Sequence, residues 1–268
     1  MARTYQLSNS SSSQDSSTAS TAIIQDNQQV KQDSIARSVF LHLFPGAMLT
    51  AAFVVTAPLA LTSGFPAIVA LLICVAVLLI PFALGHLFYE GKRRNGYYSL
   101  KGIVLLQQRT PLRRVLLIVP LVTLWSFAVY ILMTPLEGIL VKTIFAWLPL
   151  WYTQPDLAHY PKTVLLITFG LDFVINGVAA PVVEELYFRG YLLPRLSRFG
   201  KWAPIINLAL FSLYHFWQPQ QNITNLIALL PFVYIVWKRQ DVRLSMLLHC
   251  TLNIIGIALT CALYLGHP

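Results

Sequence analysis

Uninterrupted apolar stretches constrain this chain more than anything else in it. They lie at about 39–61, 67–89, 114–133, 163–181, 203–217, 226–237 and 244–265. An α-helix needs ~20 apolar residues to cross the ~30 Å hydrocarbon layer of a bilayer, and most of these stretches are near that length. Strands of an outer-membrane barrel alternate apolar and polar residues, and no such alternation is visible. Composition points the same way: 11% of the 268 residues are charged and 56% hydrophobic, against about 25% charged in a soluble domain. The expected fold class is all-α, a polytopic transmembrane helical bundle of about seven to eight membrane helices. Such a chain is an integral, multi-pass membrane protein.

Residues 1–37 differ sharply, with "SNSSSSQDSSTAST" at their centre. This segment has too little apolar surface to bury and reads as a disordered tail. It lacks the charged start and apolar core of a secretory signal, so it is read as retained. Residues 38–161 form a first group of membrane helices and 162–268 a second. The piece "GILVKTIFAWLPLWY" (138–152) is short, aromatic and broken by Pro149, which suits an interfacial or re-entrant element.

Basic residues set the orientation. If 138–152 does not cross, all of the 19 Lys and Arg except Lys142 and Lys162 fall on one side, the cytoplasmic side, with the amino terminus. The net charge of +9 thus belongs to short loops between spans and does not point to nucleic acid. Cys74, Cys250 and Cys261 sit within apolar stretches, with neither zinc spacing nor a disulfide framework.

Ionisable side chains inside spans are costly, and each is a functional hypothesis by default. "APVVEELYFRGYLLPRL" (180–196) holds Glu184, Glu185 and Arg189. Pro181 suits a first helical turn, where the dipole would favour both glutamates. Glu185 and Arg189, four residues apart, can pair on one helix face, whereas Glu184 points elsewhere and is left for chemistry. Downstream lie His215, and then His249 with Asn253 four residues on. A carboxylate that takes a proton from water, beside imidazole and amide donors, makes a hydrolytic site. Asp172 in mid-span is read as a structural hydrogen-bond partner, and His42 and His86 as ordinary polar contacts. The span limits put Glu184 just outside the face near which His249 lies, and His215 roughly 20 Å deep at ~1.5 Å per residue. Convergence then requires either that the helix after Pro181 dips back into the membrane or that the span boundary is shifted, since apolar residues continue through Leu193 into a tilted or broken span.

The three motifs Glu184-Glu185-x-x-x-Arg189, Phe211-x-x-x-His215 and His249-x-x-x-Asn253, each in an apolar helix and in that order, resemble the CPBP family. This family comprises the type II CAAX prenyl endopeptidases and the related bacterial Abi proteins. The resemblance implies an intramembrane glutamate protease whose catalytic core lies within 162–268. It implies that Glu184 activates water with help from His215, that His249 and Asn253 bind the oxyanion, and that Glu185 and Arg189 support the helix. The expected substrate is a CAAX-type prenylated protein or another membrane-associated peptide. The membrane would be the plasma membrane in a bacterium and the endoplasmic reticulum in a eukaryote. Glu184, His215 and His249 are also a set that zinc could use. No His-Glu-x-x-His spacing occurs, so hydrolysis without metal or other cofactor is the expectation. The competing readings are a non-catalytic relative of the same fold, acting in bacteriocin self-immunity or as an assembly scaffold, and a transporter, for which the chain offers no internal repeat.

Overall fold

A computed structural model describes residues 30–153 and 157–265. Most of the predicted tail, residues 1–29, lies outside the described residues. Its last part is packed, contrary to the expectation from composition. Asp33 N donates to the Arg195 carbonyl at 3.4 Å, and Gln32 Nε2 donates to Ser197 Oγ at 2.9 Å. These backbone and amide groups supply contacts that the segment's sparse apolar surface does not.

The described chain is all-α. It contains α1 (Ile35–Thr62), α2 (Ala67–Asn95), α3 (Leu112–Lys142), the single turn α4 (Leu150–Thr153), and a bent helical run Lys162–Tyr214. That run consists of α5 (Lys162–Val174), a wide π turn Ile175–Ala179, α6 (Ala180–Glu184), a second π stretch Glu185–Leu192, a tighter stretch Leu193–Trp202, and α7 (Ala203–Tyr214). Then follow α8 (Asn222–Ala228), α9 (Leu230–Arg239) and α10 (Val242–Leu265). Among the described residues five helical runs are long and apolar enough to cross a membrane: α1, α2, α3, 162–214 and α10. The apolar stretches 163–181 and 203–217 share one of them, and 226–237 is divided between α8 and α9. Beyond Lys142 the 138–152 piece forms only turns and α4.

Local chemistry sets the ends. Ser34 caps α1 by accepting from Arg37 N. Gly96, at φ 80°, takes the left-handed conformation that stops α2. Asp241 Oδ1 accepts from Arg243 N and Leu244 N at the start of α10, while its Oδ2 accepts from Thr110 N at 2.7 Å. That carboxylate pins the basic 96–111 connection to the α9–α10 junction. Leu105 N donating to the Gly190 carbonyl at 2.8 Å ties the same connection to the bent run. The basic segments near residues 94, 195 and 239 are thus gathered at one end.

The core lies between the bent run, α1, α2, α7 and α9–α10, with Tyr187, Phe188, Tyr191, Phe211, Tyr214 and Phe232 all but fully buried. By contrast α3 exposes Leu116, Leu121, Leu124, Ile131 and Leu132. A face of that composition is suited to hydrocarbon, and the protein is an integral membrane protein.

Candidate active site

The bent run creates the site. Pro181 lies 19 residues into it, and the missing N–H cannot continue a regular ladder. The π turn Ile175–Ala179 precedes it and absorbs the mismatch. Pro181 therefore does not open a helix, and no free helix terminus stabilises the glutamates, contrary to the sequence expectation. The same continuity removes the depth conflict, because Glu184 stays inside a run that extends through Leu192 instead of ending near residue 181.

Past Leu192 the chain turns, with Gly200 outside helical geometry (φ 53°, ψ −126°), and α7 returns antiparallel to residues 184–192. Asn207 donates to the Phe188 carbonyl, the Phe188 and Phe211 rings lie 4.9 Å apart, and Tyr214 O–H donates to Glu184 Oε1 at 3.2 Å. On the other side α10 also runs antiparallel. Asn253 meets Asn176, and Ser245 and His249 meet Glu185. Helix α1 closes the back. Its His42 donates from Nδ1 to the Ser38 carbonyl and accepts at Nε2 from Asn207, a latch between α1 and α7 more specific than the polar contact expected. A Cβ on Gly46 would fall 1.9 Å from the Tyr214 carbonyl, so only glycine permits this approach of α1 to the end of α7.

Within this frame Glu185 and Arg189 form a fully buried pair, with Arg189 Nε 3.3 Å from Glu185 Oε2, as the four-residue spacing predicts. The guanidinium lies 4.0 Å over the Phe211 ring. Glu185 also accepts from Ser245 Oγ and, at 2.8 Å, from His249 Nδ1. Such an N–H donor to a carboxylate fixes the imidazole, leaving Nε2 to face Glu184 Oε2 at 4.0 Å. His215 Nδ1 likewise donates to the Phe211 carbonyl at 2.8 Å, which leaves its Nε2 as an acceptor.

Glu184, His215, His249 and Asn253 line one cavity of about 540 Å³. Glu185 and Arg189 stand behind this wall. The Asn253 amide donates to the Asn176 carbonyl at 2.8 Å and to Asn176 Oδ1 at 3.2 Å. Both contacts compete with the oxyanion-binding role that the resemblance implies for it. Among the described residues no group of three His, Cys, Asp or Glu side chains is arranged to hold a metal ion.

Three residues the sequence reading did not single out complete the arrangement. Tyr214 was hidden beside His215, and Ser245 lies one turn before His249 on the same face. Asn176 lies one turn after Asp172 in the bent run. A wheel of α10 would have revealed Ser245, whereas Tyr214 needs the antiparallel return of α7.

Residues 166–255 match the family model for type II CAAX prenyl endopeptidase Rce1-like proteins. The match covers about a third of the chain and contains every residue of the three motifs, so the expected resemblance is borne out there. The activity that this family suggests is that of a CAAX-type intramembrane protease, and the family's substrates are membrane-associated prenylated proteins. No curated protein and no solved structure matches the chain.

Proposed function

From a chain whose residues 166–255 are Rce1-like, we propose a multi-pass intramembrane endopeptidase in which Glu184 is the general base. The observation that carries this reading is the placing of Glu184 Oε2 4.0 Å from His249 Nε2, on a cavity wall shared with His215. A gap of 4.0 Å is too long for a direct hydrogen bond and leaves the carboxylate free to face a water and a substrate carbonyl.

The steps follow from the partners of each atom. Tyr214 holds one carboxylate oxygen of Glu184 and leaves the other for chemistry. His215 Nε2 accepts one hydrogen of the attacking water while Glu184 takes the proton as the carbonyl carbon is attacked. The developing oxyanion is met by His249 with a proton on Nε2. Asn253 adds a second donor when the substrate carbonyl displaces its longer contact, to Asn176 Oδ1. Glu184 then returns the proton to the leaving amine as the peptide bond breaks. No metal enters these steps.

The substrate is a membrane-associated protein or peptide, prenylated or not, cleaved near the cytoplasmic face. The basic segments gathered at one end of the fold support that orientation.

The test is cleavage of a fluorogenic membrane-anchored peptide by purified protein, with and without a chelator. Glu184→Gln keeps the shape but cannot take the proton, so turnover should fall by roughly 10²–10⁴. The chelator should have no effect. Wild-type turnover in Glu184→Gln would refute the glutamate-base reading.

A further inference from the structure

The mechanism leaves one buried acid unused. Thr168, Asp172, Asn176, Ala180 and Glu184, every fourth residue over 17 positions, all line the same cavity. Successive four-residue steps keep side chains on one face of a helix, and the intervening π turn does not break the series. Across from them α10 presents His249, Asn253, Gly256, Thr260 and Tyr264. A polar strip thus leads from the proposed catalytic pair towards the start of α5, through Asn176 where it meets Asn253.

Asp172 is the charged point on that strip. It is 7% exposed; the Asn176 side chain one turn on bonds the carboxylate, and its Oδ1 is buried without a hydrogen bond. Among the described residues no Lys or Arg lines the cavity, and the other acid they place there, Glu184, has Tyr214 and His249 as neighbours. Aromatic rings of Phe169, on the turn before Asp172, and Tyr264 line the same space. A carboxylate without a counter-charge among aromatic faces is complementary to a cation.

We propose that Asp172 is a substrate-recognition residue that seats an ammonium or guanidinium group of the substrate deep in the cavity. This names a substrate class for the endopeptidase site and rests on that reading for the position of the scissile bond. Twelve residues separate Asp172 from Glu184, roughly 18 Å along a helix. An extended peptide covers that distance in about five residues. The recognised side chain is therefore a Lys or Arg about five residues from the scissile bond.

The experiment measures binding and does not depend on cleavage. Fluorescent membrane-anchored peptides carrying a single lysine three to seven residues to either side of the centre are paired with norleucine counterparts. They are titrated against purified Glu184→Gln protein and the Glu184→Gln, Asp172→Asn double variant. In the best register the lysine peptide should bind at least tenfold tighter than its counterpart, and Asp172→Asn should abolish that ratio while leaving norleucine binding within about twofold. A second arm needs no variant: benzylammonium should raise the thermal midpoint of the wild-type protein and benzyl alcohol should not. Equal or absent binding of both peptides in every register, a lysine preference that survives Asp172→Asn, or equal effects of the amine and the alcohol would each overturn the assignment. Failure of the glutamate-base mechanism would appear only in the cleavage assay, so the two outcomes are distinguishable.

Discussion

Removing one member of the Glu185–Arg189 pair should cost more than removing both, and the two single changes should not cost the same. Both side chains are fully buried, and Arg189 Nε lies 3.3 Å from Glu185 Oε2. None of the three guanidinium nitrogens makes a well-formed hydrogen bond, so the pair works by charge compensation. After Arg189→Met, Glu185 still accepts from Ser245 and His249 and can also take up a proton. After Glu185→Met, Arg189 keeps the rings of Phe211 and Phe232, at 4.0 and 5.6 Å, and the less direct attraction of Glu184, and a guanidinium cannot shed its charge. Breaking a buried pair costs about 3–5 kcal/mol. We expect Glu185→Met at the upper end, Arg189→Met at the lower end, and the double change milder than either. Glu185→Gln should destabilise as Glu185→Met does, because it too removes the compensating charge. Unfolding titrations in mixed detergent micelles on all four proteins give the cycle. Additive single costs, or Arg189→Met costing more than Glu185→Met, would refute the charge-compensation argument.

Tyr214→Phe removes the donor that holds Glu184 and should lower turnover about tenfold, the scale of one hydrogen bond to a charged group; unchanged turnover in the peptide assay would count against that role. Gly46→Ala places a Cβ against the Tyr214 carbonyl and should cost about 1–3 kcal/mol as α1 is pushed away, seen as a lower thermal midpoint, whereas Gly85→Ala, with open space around it, should not. A single cysteine introduced between residues 97 and 109 should resist an impermeant thiol reagent in intact cells and react after permeabilisation; labelling in intact cells would reverse the proposed orientation.

The apolar stretches were legible because lipid leaves a chain few ways to satisfy its backbone. A run made mostly of Leu, Ile, Ala and other apolar residues in 244–265 has helix as its stable outcome there, and α10 occupies Val242–Leu265. The Glu185–Arg189 pair was legible too, since a four-residue spacing acts within one helix. What could not be read is whatever depends on how helices meet. The π turns at 175–179 and 185–192 carry no compositional mark, yet they keep Glu184 within a continuous run and allow Pro181 in its middle. Packing likewise decides the contacts between His249 and Glu185, 64 residues apart, and between Asn253 and Asn176, 77 apart. The two glutamates show how local and long-range causes combine. Consecutive residues of a helix point about 100° apart, so one face of the bent run receives Tyr214 from α7 and the cavity, and the other carries Arg189 and receives Ser245 from α10. The helical period alone ensures that adjacent glutamates differ in surroundings. Only the antiparallel return of α7 and the approach of α10 decide that Glu184 faces the cavity while Glu185 is enclosed by donors.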